Sequence, residues 1–79
     1  MKTTKTKTKR FDHLKLKKER EKRGLSFYKF ALELQKYHPL ASKSTCWQWE
    51  QGRHEPSAKY LMAICSVFKK EIGYFYKSV

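Results

Sequence analysis

The sequence predicts an all-α domain: a compact bundle of four or five short helices, preceded by a mobile basic arm. Three observations carry this. Apolar residues recur at helical spacing, most clearly Leu61, Ile64, Cys65 and Phe68 at i, i+3, i+4 and i+7. Capping and stopping residues, Asp12, Ser26, Ser42 and Ser57 against Gly24, Pro39 and Gly52, divide the chain at helix-sized intervals. Brief polar/apolar alternations at 13–17, 32–35 and 47–50 contain no Val, Ile or Thr, so no sheet is expected.

Residues 1–10 alternate Lys and Thr and end in Arg10, with no apolar residue after Met1. Such a segment buries nothing and reads as an arm, leaving 11–79 as the folded domain. Asp12 caps a first helix over about 12–23, ended by Gly24, with a thin apolar face of Phe11, Leu14 and Leu16. Ser26 caps a second helix from Phe27 to about Lys36, with room for a further turn before Pro39. Its buried stripe is Phe30, Ala31 and Leu34. Proline cannot continue a helix, so Tyr37-His38-Pro39 is a turn. Ser42 opens a third helix over Lys43 to Gln51, with Cys46 and Trp49 inward and Gly52 beyond its end. Arg53-His54-Glu55 is a polar loop. Pro56 and Ser57 precede the fourth helix, and a short fifth, about 71–77, carries Ile72, Phe75 and Tyr76.

Composition narrows the function. The chain has 79 residues, with 19 Lys and Arg against 7 Asp and Glu, a net charge of +12. A balance that basic points to a polyanion, with nucleic acid ahead of an anionic membrane. Residues 1–23 hold 11 of the basic residues and 3 of the acids, so two thirds of the excess lies near the N-terminus. The arm reads either as a solubilising tail or as a strand of charge that follows DNA phosphates, through Lys7, Lys9 and Arg10, or enters a minor groove. The first helix is too thinly apolar to insert into a membrane, and no apolar run approaches the roughly 20 residues of a span. Cys46 and Cys65 read as reduced core residues of a cytoplasmic protein, nucleoid-associated when bound to DNA. They and His13, His38 and His54 lack zinc-site spacing, so no metal is expected. The isolated glycines form no phosphate loop, and Asp12 is the only aspartate, so neither a cofactor nor enzyme activity is expected.

Two short helices about a turn, the second polar on its outer side, form a helix-turn-helix pattern. Gly24-Leu25-Ser26, Phe30-Ala31, Leu34, the run Ser42 to Gly52, and Glu55-Pro56-Ser57 resemble the Cro/phage-repressor (XRE-type) helix-turn-helix family over about residues 14–76. The resemblance implies a four- to five-helix bundle that binds double-stranded DNA. It implies that Ser42 caps the recognition helix and that Lys43, Ser44, Thr45 and Gln48 read bases. Their chemistry suits this: Gln pairs with adenine, Lys reaches guanine, and Ser and Thr donate or accept. It further implies a structural ion pair between Arg20 and Glu50, and backbone contacts by Arg53 and His54.

The sequence departs from the family in two main ways, with milder departures at Lys69 and Gly73. The segment from Gln35 to Ala41 is longer than the usual turn and lacks its glycine. Phe27 stands where Gln is common, and Trp47 where a polar residue is usual. Three readings of Trp47 stay open: packing against the long turn, a protein contact, or contact with a thymine methyl or sugar. Phe27, Tyr37, Trp47, Tyr74 and Tyr76 are the candidate protein-interface residues, the last two for a weak homodimer. The leading expectation is a repressor-like, sequence-specific DNA-binding regulator of prokaryotic or phage type. The alternative is a helix-turn-helix module that binds and modulates a partner repressor.

Overall fold

The computed structural model describes residues 9–78. In chain order these form β1 (Lys9–Phe11), α1 (His13–Lys22), α2 (Phe27–Gln35), α3 (Lys43–Glu50), α4 (Ala58–Phe68), a 3-10 helix (Ile72–Phe75) and β2 (Tyr76–Ser78). The four α-helices begin where oxygen-bearing side chains satisfy their free N–H groups. Asp12 accepts from Lys15 N, Ser26 from Lys29 N, Ser42 from Thr45 N and Ser57 from Tyr60 N. Gly24 and Gly52, at φ +68° and +74°, turn the chain out of α1 and α3 through the left-handed region that favours glycine. Lys69 makes the same turn after α4 at φ 55° with a side chain attached.

Phe30, Phe68 and Phe75 form the centre of the core, with Leu16, Leu34, Ile64 and Cys46, all fully buried. The Phe30 and Phe68 rings lie 5.2 Å apart and Phe68 and Phe75 6.0 Å. Each of the Phe, Leu and Ile side chains contributes roughly 1.5–3 kcal/mol of transfer free energy. Burial also holds the Cys46 thiol protonated, its pKa pushed up to about 12 with help from the nearby Glu50 charge.

The structure corrects the sequence reading at both chain ends. A two-stranded antiparallel ribbon is present, pairing Lys9 with Ser78, Arg10 with Lys77 and Phe11 with Tyr76. Lys9 and Arg10, read as the end of the arm, therefore belong to strand β1, whereas residues 1–8 lie outside the described residues. The last helix is a single 3-10 turn, and Tyr76 starts a strand. The cause is tertiary: Phe11 is buried against Phe75 at 6.3 Å and Tyr76 at 6.0 Å, and Asp12 N donates to Phe75 O at 2.6 Å. Leu14 does not join the apolar face of α1 and is 53% exposed.

The long turn is built without glycine. α2 stops at Gln35, with no further turn before Pro39. Tyr37 N and His38 N both donate to Leu34 O, Ala41 N donates to His38 O, and the Gln35 amide donates to Ala41 O at 2.8 Å. His38 stacks on Tyr60 at 3.9 Å, and Tyr60 meets Trp49 edge-on at 5.0 Å. Tyr37 and Leu40 remain exposed.

A polar tether joins the last turn to α1. The Tyr74 hydroxyl donates to Glu19 at 2.7 Å. Burial pushes the Glu19 carboxyl up, but this bond and the charges of Lys22, Lys70 and Arg23 hold it below the usual carboxylate range. The same bond, with burial, pushes the Tyr74 hydroxyl up. A lowered carboxyl contributes stability in full above its unfolded value and loses it as pH falls through the folded one. Tyr74→Phe is therefore expected to lower the melting temperature at pH 7, with the gap to wild type narrowing below about pH 4.5. Melts across pH 2–7 test this; a gap independent of pH contradicts the tether.

Candidate nucleic-acid interface

α3 is eight residues long and presents two unlike sides. Cys46, Trp49 and Glu50 are buried, whereas Lys43 and Ser44 are exposed and Thr45 and Gln48 half-buried. The Thr45 hydroxyl lies 3.0 Å from Ser42 Oγ, so it is engaged in the helix cap as well as facing outward. Arg53 and His54, just beyond α3, are exposed.

A buried ion pair fixes the rotation of this helix. Arg20 Nε donates to Glu50 Oε2 at 2.6 Å and Nη2 to Oε1 at 3.1 Å, a two-pronged contact. Nη1 donates to Leu25 O at 2.7 Å. The guanidinium also lies over the Phe27 ring, 4.1 Å from its centroid. Phe27 is accordingly half-buried, serving as an apolar floor for the ion pair rather than a free surface aromatic. His13 adds a second tie, its Nδ1–H donating to Glu50 O at 3.1 Å.

Trp47 lies on the exposed side of α3. It is 42% exposed, and the Arg53 guanidinium lies 5.4 Å from its ring. Ser26, Phe27, Tyr28, Lys43, Ser44 and Trp47 line an open groove of about 470 Å³ between the starts of α2 and α3. Tyr28, 62% exposed, escaped the sequence reading. Its signal was an aromatic lying outside the Phe30, Ala31 and Leu34 stripe.

The remaining candidates are scattered. Tyr37 is exposed at the far end of α2 and lines a different groove with Pro39 and Met62. Tyr74 is tied to Glu19, and Tyr76 packs on Phe11, and both rings are half-buried. Arg10 and His54 share a pocket of about 240 Å³ with His13 and Lys77, two residues that nothing in the sequence singled out for this place. Lys7 lies outside the described residues. Among the described residues, no group of three or more His, Cys, Asp or Glu is placed to hold a metal ion, and no helix is long and apolar enough to cross a membrane.

Removing one member of a buried ion pair leaves the other charge uncompensated. Glu50→Gln is expected to destabilise the fold by about 3–5 kcal/mol in denaturant titration. Replacing both partners by apolar residues, Arg20→Met with Glu50→Leu, is expected to recover much of that. A loss under about 1 kcal/mol for Glu50→Gln contradicts the role given to the pair.

Comparison with known proteins adds the family. Residues 16–75, from α1 through the 3-10 helix, match the model of a helix-turn-helix family. Neither the comparison with curated proteins nor that with solved structures gives a match. A match over most of the folded chain, together with a capped α3 held polar side outward against α1, shows that the chain belongs to the XRE-type (Cro/phage-repressor) helix-turn-helix family of DNA-binding regulators.

Proposed function

We propose that the protein is a sequence-specific, repressor-like transcriptional regulator that reads double-stranded DNA with the outer side of α3. The observation that carries this is the pairing of an anchored polar helix face with a net charge of +12. In this reading Lys43, Ser44, Thr45 and Gln48 meet base edges in the major groove. Lys7, Lys9, Arg10, Arg53 and His54 neutralise phosphates and supply the salt-dependent share of affinity.

Fluorescence anisotropy on duplex from the gene's own upstream region, against scrambled duplex at two salt concentrations, tests it. A specific site is expected to bind about 10³-fold or more tighter than scrambled DNA. Gln48→Ala should cost about 1–3 kcal/mol on that site and relax the preference at one base pair. Equal binding of wild type and variant to every duplex contradicts the base-reading role of α3.

A second reading is favoured by the groove of Phe27, Tyr28 and Trp47. Exposed Trp and Tyr beside Arg is the composition of a protein-binding hot spot. The groove would then dock a partner repressor and modulate it. Trp47→Ala separates the two: partner binding collapses if the groove is the anchor, and DNA affinity falls if Trp47 faces the bases.

A further inference from the structure

We propose that Arg10, His13, His54 and Lys77 form a phosphate-binding pocket beside the recognition helix, in which anion binding is coupled to protonation of His13. The four side chains come from four places in the chain: β1, α1, the loop after α3, and β2. Phe11 and Trp49 supply apolar walls, and Glu55 is the only acid lining the pocket. Its volume of about 240 Å³ leaves room for one tetrahedral oxyanion.

Two further observations point to an anion. Arg10 and Lys77 are directly opposed across the ribbon. Like charges in that position repel at close range and destabilise a strand pair. Neither is in an ion pair among the described residues, so an anion between them would relieve the repulsion. The second observation concerns His13. Its Nδ1–H donates to Glu50 O, which leaves Nε2 on the Gly52 side, where the pocket lies. In the neutral ring with that tautomer, Nε2 is an acceptor and faces an anion unfavourably. Protonation makes it a second donor. The charged and titratable groups that face it are Arg10 and Lys77 from the ribbon and His54 and Glu55 from the loop, and a bound anion adds a negative charge beside the ring. Gly52 keeps the approach open, since a Cβ there would sit 3.3 Å from His13 Nε2.

The natural phosphate in this reading is one of the DNA backbone, an assignment that rests on the DNA-binding reading above; the pocket itself does not. The test uses the full chain and sulfate, which stays a dianion across the pH range. Melting temperatures are compared in sodium sulfate and sodium chloride at equal ionic strength, at pH 6 and pH 8. Wild type should gain several degrees in sulfate at pH 6 and less at pH 8. Arg10→Ser with Lys77→Ser should fold at least as well in chloride, because the repulsion is gone, and should lose the extra gain. Equal sulfate gains in wild type and the double variant, or a gain independent of pH, overturn the proposal. A second arm measures binding to scrambled duplex against salt. A slope shallower by about two in the double variant identifies the DNA backbone as occupant. Sulfate protection with an unchanged slope assigns the pocket to a free phosphate group instead. Failure of Gln48→Ala to alter specificity leaves the sulfate result standing, so the two readings fail separately.

Discussion

A guanidinium buried where three helices meet needs a partner for its charge and for its N–H donors. Arg20 finds the carboxylate of Glu50 on α3, the carbonyl of Leu25 before α2, and the ring of Phe27 at the start of α2. One side chain of α1 thereby sets the register of the two helices that matter most. The need is acute for α3. Eight residues with two inward apolar side chains, Cys46 and Trp49, define a rotation only loosely by burial. A two-pronged ion pair is directional, and a rotated α3 would strand a buried carboxylate. Desolvation offsets much of the pair's attraction, so its main effect is to exclude other arrangements.

The rest of the fold closes around this junction. The β1–β2 ribbon ties the first described residues to the last, with Phe11 and Tyr76 packed across it and Phe75 below. Tyr74 and Glu19 fasten the 3-10 turn to α1 one residue along from Arg20, on the neighbouring flank of the helix. α1 is thus held on one flank by α3 and on the next by the C-terminal segment. Its buried Glu19 and Arg20 each answer to a different neighbour. For a helix with a weak apolar face, these two polar contacts replace much of what an amphipathic stripe would do.

What was legible in the sequence was what local chemistry decides. Ser26, Ser42, Ser57 and Asp12 announce helix starts because their oxygens reach N–H groups three residues on. Gly24 and Gly52 announce ends because few other residues take that backbone conformation. The inward side of α3 followed from Cys46 and Trp49 at i, i+3. The ribbon was illegible because three-residue strands show no period and exist only by pairing with a distant segment. Leu14 misled for a related reason: its spacing suits a face, but the core lies under Leu16 and Phe11. Phe27 reads from sequence as an exposed aromatic, but in the fold the Arg20 guanidinium lies over its ring. The pocket of Arg10, His13, His54 and Lys77 was hidden because four distant parts of the chain build it.

The proposed base-reading face runs along α3 from Lys43 to Gln48 and the proposed pocket lies beyond its C-terminal end, a placement that bears on how so short a helix would read DNA. At 1.5 Å per residue, eight residues span about 12 Å, close to the width of the major groove, also about 12 Å. Lys43 and Ser44 mark the N-terminal end, and the pocket adjoins Gly52 beyond the C-terminal end. A phosphate held in the pocket would fix one end of the helix against the backbone. In that reading the depth at which Lys43, Ser44 and Gln48 would reach base edges follows from rigid geometry, because the Arg20–Glu50 pair opposes rolling of α3. His13 donates to the carbonyl of Glu50 and lines the pocket with the same ring. In the proposed reading an anion bound there would act on the residue whose carboxylate sets the helix's rotation, and backbone anchoring and base reading would form a single mechanical unit rather than two additive contacts.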